Sequence, residues 1–297
     1  MEKIKIRAPA KLNLYLEVIG KRKDGYHNIC SIVEKVNLFD QIEITPSESN
    51  LVEFHGPWKI PEVNTVSKTI KILSLLFPET RKNPVKITVR KNIPPGSGLG
   101  GASSDAAAVL KAYNSILKLG LSTQQLIKIG EKIGSDVPAF IYDVPCVIEG
   151  RGEIVHPLEN LPSLFFDLFV PDVEISTKSV YENLTPAQLF DLTQARLRIK
   201  IFLSVWKDMR IDELEKLLFN RLEEVTLNLN KKIAEGKKII EEVAGKRFVL
   251  TGSGGGIYAI GNKTKLDELP EVIRDWRHYK IESYRKTTQK EEQHGNY

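Results

Sequence analysis

Apolar and polar positions alternate along much of the first part of the chain. The alternation runs through KIKIRAPAKLNLYLEVIG (3–20), DGYHNICSIVEKVNLFDQIEITP (24–46) and PVKITVRKNIPPG (84–96). A period of two is typical of strands with one buried face. We therefore predict strand, break and strand over the first stretch and further strand in the second. The third is predicted to be a strand that two prolines end.

Helical spacing takes over between these stretches. Val66, Ile70, Leu73 and Phe77 recur at helical intervals within 64–77. A second helix is predicted from about Ser104 to Gly120, with a Ser/Asp start and a glycine after its last turn. A third is predicted in STQQLIKIGEKIG (122–134), which opens with a Ser–Gln capping box and closes at a glycine.

The second half of the chain has a different order of elements. A buried strand is predicted at 163–170, then helices, a hairpin formed by RFVLTG and GIYAIGN around SGGG, a helix at 266–276 and a strand at 278–285. This is the split βαβ order of ferredoxin-like domains. We predict an α+β protein with a boundary near 157–162. Its parts are an N-terminal domain (1–158), a C-terminal ferredoxin-like domain (159–285) and a polar, frayed tail (286–297).

Composition indicates an ordinary globular protein. The 297 residues are 41% hydrophobic and 27% charged, with 43 Lys and Arg against 38 Asp and Glu. Lys and Glu are interleaved as on solvated faces, so a nucleic-acid partner is not expected. We see no membrane span and no signal peptide, and we expect a cytoplasmic protein. The two cysteines, Cys30 and Cys146, do not suggest a disulfide framework or a cysteine metal site.

The glycine-rich stretch NIPPGSGLGGASSDAAAVL (92–110) carries the first chemical signal. It satisfies G-x-G-x-x-G, but the region about 20 residues further on is a predicted helix, where a dinucleotide fold requires a strand that ends in an acid. A P-loop would close with Gly-Lys-Ser/Thr, and a protein kinase would carry H-R-D and D-F-G later in the chain. Neither pattern is present.

Phosphate binding is the interpretation that remains. Glycines let backbone N–H groups approach an anion, and the following helix N-terminus adds unpaired donors. Ser103 and Ser104 could offer hydroxyls to phosphate or Mg²⁺. The alternative is a tight loop with a serine helix cap. A second glycine run, LTGSGGGIYAI (250–260), is richer than a hairpin needs, and two such runs suggest that both halves face one ligand.

Three stretches together resemble the motifs of the GHMP kinases, a family of small-molecule kinases. They are PAKLNLYLEV (9–18), PPGSGLGGASSDAAA (94–108) and TGSGGGIYA (251–259). The resemblance implies a ribosomal-S5-like domain followed by a ferredoxin-like domain. KRKDGYHNICSI (21–32), GSDVPAF (134–140), EGRGE (149–153) and ISTKSVY (175–181) are similar to one branch of that family. Ala102 and Ser135 are small departures from glycine and alanine in the usual pattern.

This branch phosphorylates the 2-hydroxyl of a cytidine diphosphate-linked methylerythritol in non-mevalonate isoprenoid precursor synthesis. The resemblance implies ATP and Mg²⁺ as cofactors and a small-molecule substrate, with no membrane partner and a monomer or weak homodimer. The site residues that it implies fall into three groups. They are the catalytic Lys11 and Asp136; the ATP-binding Pro94, Pro95, Gly96, Ser97, Gly98, Leu99, Gly100, Gly101, Ala102, Ser103 and Ser104, with Ser104 also at the metal; and the substrate-binding Asn13, Tyr26, His27, Tyr181, Gly254 and Gly255.

Several alternatives stay open at this point. By themselves, Asp136 is typical of a helix N-cap and Lys11 of a surface charge, and the aromatic residues are typical of packing or surface positions. The acceptor could be homoserine or mevalonate, although neither explains D-G-Y-H-N. A sensor that binds a sugar or nucleotide on the same fold without catalysis is a further hypothesis. A nucleic-acid binder is the last of them.

Overall fold

A computed structural model describes residues 3–185, 189–261 and 270–285 of the chain. The predicted tail at 286–297 lies outside the described residues. The strands are β1 (Ile4–Lys21), β2 (His27–Pro46), β3 (Leu51–His55), β4 (Val85–Arg90), β5 (Cys146–Gly150), β6 (Ile154–Pro157), β7 (Phe165–Val170), β8 (Phe219–Asn220), β9 (Val249–Leu250), β10 (Ile257–Ile260) and β11 (Arg277–Glu282). The helices are α1 (Thr65–Leu76), α2 (Pro78–Lys82), α3 (Gly101–Ile116), α4 (Thr123–Ile133), α5 (Thr177–Glu182), α6 (Leu192–Lys207), α7 (Ile211–Leu217), α8 (Glu223–Leu229) and α9 (Lys231–Ala244).

The first sheet is built around the long antiparallel pair of β1 and β2. Its strand order is β3-β4-β2-β1-β8, and β5 pairs with the start of β2 and with β6. The predicted break in the first stretch is a shift of register between Pro9 and Ala10 within one continuous strand. With two further shifts, at Asn13/Tyr15 and Val18/Gly20, β1 stays paired with β2 from Ile4 to Lys21.

Helices α1, α3 and α4 cover one face of this sheet. The predicted helical spacing is confirmed for Val66, Ile70 and Leu73, which are buried in α1 together with Thr69, whereas Phe77 is the C-cap residue just after the helix. The predicted Ser–Gln capping box also forms at the start of α4. In α3, a run of small buried residues lets the helix lie close to β1 and β2.

The predicted start of α3 near Ser104 was wrong. The helix begins at Gly101, and the residue before it, Gly100, has a φ of 71° in the left-handed region. A glycine with this φ turns the chain directly into the helix, so Ser103 and Ser104 fall in its first turn. The helix ends at Ile116, and Gly120 lies beyond it in the following turn.

The second sheet has the strand order β11-β7-β10-β9, with antiparallel neighbours throughout. Among the four strands of this sheet, β10 is third in chain order and lies between the first, β7, and the second, β9, as a split βαβ arrangement requires. The predicted hairpin of β9 and β10 is confirmed. Of the helix predicted at 266–276, residues 266–269 lie outside the described residues, and Glu271–Ile273 form a short 3-10 helix.

Strand β8 comes from the second half of the sequence but pairs in parallel with β1 of the first sheet. An ion pair reinforces this contact, since the Arg221 guanidinium meets the Glu17 carboxylate at 2.5 and 3.1 Å. A second ion pair ties the chain after β11 to β2, where Arg285 meets Glu34 at 2.5 and 2.9 Å. Both glutamates are fully buried, so these charges are not on the solvated faces that the interleaved composition suggested. The domain boundary near 157–162 stays a prediction.

The hydrophobic core continues on both sides of the first sheet. One cluster packs α1, α3 and α4 against it, and another joins it to α6 and to β7. The site described next lies where the two sheets meet. Within the described ranges, no helix combines the length and the apolar character needed to cross a bilayer.

Candidate active site

A cleft of about 950 Å³ opens between the two halves of the protein. This volume is at the upper end of the range for ligand pockets. Of the residues that the sequence implicated, Ser104 and Gly255 are outside the lining. Those that line it are Lys11, Asn13, Tyr26, His27, Pro94, Pro95, Gly96, Ser97, Gly98, Leu99, Gly100, Gly101, Ala102, Ser103, Asp136, Tyr181 and Gly254.

The first glycine run, Pro94 to Gly101, forms one wall of the cleft. Gly96, Gly98 and Gly100 have φ values of 68°, 83° and 71°, in the region that favours glycine. The backbone N–H of Lys11 donates to the Leu99 carbonyl at 2.9 Å, which fastens the run to β1. The Ser97 hydroxyl donates to the Pro94 carbonyl at 2.6 Å, so it serves the fold of the loop itself.

The N-terminus of α3 follows this run and faces the cleft through Gly101, Ala102 and Ser103. No side chain caps it, so the serine cap considered from the sequence does not form. Uncapped N–H groups at the start of a 16-residue helix are suited to an anion. Ser104 is 1% exposed, and its Oγ has no hydrogen-bond partner among the described residues. The glycine cradle and the open helix end fit a phosphate group, whereas the Ser104 hydroxyl lies in the same helix turn but does not line the cleft.

The second glycine run, Gly252 to Gly256, packs directly on the first. The Gly256 N–H donates to the Ser97 carbonyl at 3.0 Å, and the Gly255 N–H donates to the Gly96 carbonyl at 3.4 Å. A Cβ on Gly98 would lie 2.0 Å from the Thr251 carbonyl oxygen. No side chain at Gly98 would therefore fit between the two glycine runs, and both runs meet at one cleft.

Gly255 is directed away from the cleft. A Cβ there would face Pro171 at 3.1 Å and Ile233 at 3.2 Å, which belong to the packing beneath the second sheet. The residues of this run that line the cleft are Gly252, Ser253 and Gly254. A substrate contact at Gly254 or Gly255 stays a prediction.

Lys11 and Asp136 face each other across the floor of the cleft, with 3.8 Å between Nζ and Oδ2. The Lys11 side chain is 6% exposed, which excludes the surface charge considered from the sequence, and that of Asp136 is 41% exposed. Asp136 precedes the 3-10 helix Pro138–Phe140, which has no side-chain cap, so the N-cap alternative does not apply either. Burial lowers the pKa of Lys11, while Asp136 acts in the opposite direction.

Asn13 holds Lys11 in place. Its Oδ1 accepts a hydrogen bond from the Lys11 ammonium, and its Nδ2 donates to Ser31 Oγ at 2.8 Å. Its backbone N–H donates to Thr251 Oγ1 at 3.1 Å, and its carbonyl accepts from the Tyr258 hydroxyl at 2.8 Å. This structure therefore uses Asn13 to position the ammonium, and its contact with substrate stays a prediction.

Tyr26, His27 and Tyr181 gather at the other end of the cleft. The His27 and Tyr181 rings stack with centroids 5.2 Å apart and planes inclined by 26°. Tyr26 is 52% exposed, and the Arg151 guanidinium lies 5.3 Å from its ring centroid. The rings of His27 and Tyr181 touch each other, so a base cannot lie between them as they stand. Tyr26 is the exposed ring of the three, whereas Tyr181 is partly buried against a core cluster.

Burial is the main cause of the shifted pKa values of His27 and Tyr181 at this end of the cleft. Burial and the nearby Lys21 ammonium lower the pKa of His27, so the imidazole is neutral at neutral pH and presents one donor and one acceptor. Burial and the Asp136 carboxylate raise the pKa of Tyr181, which keeps its hydroxyl protonated. The side chains of His27 and Tyr181 can therefore both form hydrogen bonds with polar atoms at the edge of an uncharged ring.

Comparisons with known proteins show the family of the chain. The family model for the GHMP kinases N terminal domain matches residues 64–144. A 4-diphosphocytidyl-2-C-methyl-D-erythritol kinase of Citrifermentans bemidjiense is 36% identical over 266 residues, which are 88% of this chain and 90% of the relative. The enzyme of the same name from Thermotoga maritima is 33% identical over 256 residues, 84% and 89% of the two chains.

The chain belongs to the 4-diphosphocytidyl-2-C-methyl-D-erythritol kinase family, within the GHMP kinases. Solved structures agree with this assignment. A crystal structure of a 4-(cytidine 5'-diphospho)-2C-methyl-D-erythritol kinase superposes with a TM-score of 0.74 at 26% identity, covering 94% of this chain and 99% of the other. A homoserine kinase from Cytophaga hutchinsonii gives 0.69 at 18% identity, covering 96% and 95%, and shares the fold. The predicted α+β GHMP kinase fold is confirmed, and the protein is a small-molecule kinase.

Sequence reasoning missed a buried charge cluster beneath the first glycine run of this GHMP kinase. The Lys91 ammonium binds the Asp40 carboxylate and lies 2.7 Å from Asp105 Oδ2. Asp40 Oδ1 accepts the N–H groups of Asn92 at 2.6 Å and Ile93 at 2.9 Å, so it fixes the entry to the run. The only available signal was an aspartate directly after Ser103–Ser104, which is also what a helix start offers.

Asp105 is the titratable member of this cluster. Burial and the neighbouring Asp40 carboxylate raise its pKa to about 7, while Lys91 acts in the opposite direction. Its Oδ1 has no hydrogen-bond partner among the described residues. One ammonium shared by two buried carboxyls leaves an excess of negative charge, which a proton on Asp105 removes.

Proposed function

We propose that this kinase transfers the γ-phosphoryl group of ATP to the 2-hydroxyl of 4-diphosphocytidyl-2-C-methyl-D-erythritol, a step in non-mevalonate isoprenoid precursor synthesis. The observation that carries the proposal is the pair of Lys11 and Asp136, 3.8 Å apart, in one cleft with an open helix N-terminus and three aromatic rings. Relatives such as the Caldicellulosiruptor bescii protein, 38% identical over 262 residues, bear the name of this activity.

At the ATP end, we assign the phosphates to the run Pro94–Gly101 and to the N-terminus of α3. Backbone N–H groups in this region have no Cβ in front of them, and the helix end contributes positive partial charge. We assign Mg²⁺ to the hydroxyls of Ser103 and Ser104 in the first turn of α3; Ser103 lines the cleft, and Ser104 would have to turn towards it. The metal, when bound, neutralises negative charge on the phosphates.

At the centre, we assign Asp136 to the acceptor hydroxyl and Lys11 to the transferring group. Asp136 is partly exposed to the cleft and can accept the proton of the hydroxyl or orient it. The Lys11 ammonium lies beside this carboxylate and faces the charge that spreads over the phosphoryl oxygens. Because Asn13 and the glycine runs hold the ammonium, its position costs no reorganisation during the reaction.

At the acceptor end, we assign the cytosine to Tyr26, His27 and Tyr181. Tyr26 offers an exposed face for stacking, and the neutral His27 offers a donor and an acceptor to the base edge. The diphosphate is assigned to the second glycine run at Gly254 and Gly255, and the erythritol to Asn13. The His27–Tyr181 contact must rearrange if the base is to reach both rings.

ADP release with Mg-ATP against a panel of acceptors tests the proposal. The panel contains 4-diphosphocytidyl-2-C-methyl-D-erythritol, homoserine, mevalonate and no acceptor. We expect turnover with the cytidine compound and only background release with the others. Turnover with homoserine or mevalonate instead would show that the proposed acceptor is wrong. Binding of one of these compounds with no ADP release from any of them would favour a sensor.

Cellular location and assembly belong to the same proposal. We expect a cytoplasmic enzyme that is a monomer or weak homodimer and has no nucleic-acid partner. Retention on DNA or RNA at physiological salt would contradict the last expectation.

A further inference from the structure

Asn220 lies outside the cleft but is tied to its second glycine run. It sits on the short strand β8 beside Leu16 of β1 and is 4% exposed. Its Nδ2 donates to two carbonyls, those of Leu250 at 2.8 Å and Gly252 at 2.7 Å. Its Oδ1 accepts the Leu222 N–H at 2.9 Å, which fixes the orientation of the amide. Every polar atom of this side chain is therefore used.

Glu223, three residues after Asn220, also binds the backbone of Leu250. Its Oε2 accepts the Leu250 N–H at 2.7 Å. Leu250 belongs to β9, the edge strand of the second sheet, whose outer N–H and C=O would otherwise lack a strand partner. We call Asn220 and Glu223 together the edge clamp. It replaces a missing strand with two side chains carried by the first sheet and the start of α8.

The residues that the edge clamp holds lead directly to the catalytic ammonium. Gly252 has a φ of 59°, and a Cβ on it would lie 3.0 Å from Lys11 Nζ and 3.3 Å from Asn13 Oδ1. Thr251, between the two clamped carbonyls, accepts the backbone N–H of Asn13 through its hydroxyl at 3.1 Å. The turn Leu250–Gly252 is therefore held by Asn220 on one side and packed on Asn13 and Lys11 on the other.

We propose that Asn220 is a positioning residue for phosphoryl transfer, which acts by holding the second glycine run against Lys11 and against the ATP-phosphate loop. The proposal rests on the function proposed above. Without the two carbonyl contacts, the Leu250–Gly252 turn keeps the Glu223 contact, the Thr251–Asn13 hydrogen bond and the pairing within its own sheet, but no hydrogen bond among the described residues holds the carbonyls of Leu250 and Gly252 to the first sheet. The ammonium then loses the backbone wall that sets its distance to Asp136, and the Gly256–Ser97 contact between the two runs loosens with it.

The test is Asn220→Asp, which keeps the acceptor for the Leu222 N–H and removes the donors to both carbonyls. We expect kcat to fall by about 10- to 100-fold, because a displacement near 1 Å at a reacting centre has that effect. The KM for ATP should change by less than about threefold, because the phosphate loop keeps its own hydrogen bonds, from the Lys11 N–H to the Leu99 carbonyl and from the Ser97 hydroxyl to the Pro94 carbonyl. Amide hydrogen exchange at Gly256 should accelerate in the protein without ligands, since this N–H donates across the two runs.

The pH profile separates positioning from a general loss of stability. A carboxyl beside two carbonyls has a raised pKa and can donate one hydrogen bond when protonated. The ratio of the kcat of Asn220→Asp to that of the wild type should therefore rise as the pH falls from about 8 to about 6. Asn220→Ser serves as the test variant if the charged variant folds poorly. Serine is neutral and can donate to one carbonyl only, so the kcat of Asn220→Ser should lie between those of the wild type and of Asn220→Asp.

Leu222→Val is the matched control, because Leu222 lies two residues further on and its side chain is fully buried in a separate core cluster. It should lower the melting temperature and leave kcat and exchange at Gly256 near the wild-type values. Wild-type kcat in folded Asn220→Asp and Asn220→Ser, or unchanged exchange at Gly256, would overturn the proposal. Failure of the wild type itself to phosphorylate the cytidine acceptor would instead overturn the proposed function.

Discussion

A methyl group at Gly254 is expected to force the two glycine runs apart. The Cβ of Gly254→Ala would lie 2.0 Å from Gly98 N and 2.1 Å from the Ser97 carbonyl carbon, where ordinary contact starts at 3.4 Å. Both atoms are backbone, so no change of rotamer relieves the clash. The separation needed is 3.4 minus 2.0, or 1.4 Å. Gly254 is not among the glycines with positive φ, so the whole effect is steric.

The size of this displacement determines the expected loss of activity. A misplacement of about 1 Å at a reacting centre can cost about 10²-fold, which is roughly 2.7 kcal/mol in the barrier. We therefore expect kcat/KM to fall by at least about 10²-fold for both substrates, because both runs line the cleft. Overpacking should lower the free energy of unfolding by about 1–3 kcal/mol.

The assay is coupled detection of ADP, with urea unfolding as the stability measurement. Gly20→Ala is the matched control, because its Cβ would have no heavy atom within 4 Å and its φ is also outside the left-handed region. It should keep near-wild-type activity and stability. A folded Gly254→Ala enzyme with kcat/KM within about twofold of the wild type would refute the contact between the two runs as a requirement of the site.

The remaining predictions concern Asp136, Tyr26 and Asp105. Asp136→Asn should lower kcat by about 10²- to 10⁴-fold with a modest change in KM, as steady-state kinetics will show, and near-wild-type turnover would remove Asp136 from the mechanism. Tyr26→Ala should raise the KM for the cytidine substrate more than the KM for ATP, and equal effects would argue against stacking on this exposed ring. The pKa of Asp105 is raised from 3.8 to about 7, so the stability linked to its protonated form is lost as the pH rises through that window. Urea unfolding should therefore show Asp105→Asn gaining stability relative to the wild type between pH ~5 and pH ~8, and a difference that does not change with pH would contradict the raised pKa.

The parts of the fold that sequence predicted well are those that local chemistry decides. The strands β1 and β2, the spacing of Val66, Ile70 and Leu73, and the Ser122 capping box each depend on neighbours in the chain. The single buried face that the period of two predicted was wrong over 10–18 and 29–36, where both faces are buried because core packs on each side of the sheet. The start of α3 was missed because it depends on a left-handed φ at Gly100, which the letter glycine permits but does not require.

The parts that sequence could not predict are those that tertiary contacts decide. The pairing of β8 with β1 joins Asn220 to Leu16 across some two hundred positions, and two residues carry no periodicity to recognise. The burial of Glu17 against Arg221 is likewise invisible to composition, which treats both as surface charges. In the site, motif resemblance named Tyr181 and His27, but only the structure shows that their rings stack on each other.

The location of the transferred phosphoryl group tests the central claim most directly. The wild-type enzyme would be incubated with Mg-ATP and 4-diphosphocytidyl-2-C-methyl-D-erythritol, and the product would be analysed by mass spectrometry and phosphorus NMR. The account predicts one added phosphoryl group, attached to the 2-hydroxyl, and equal amounts of ADP and product. A phosphoryl group on another hydroxyl, or ADP release with inorganic phosphate as its only partner, would contradict it.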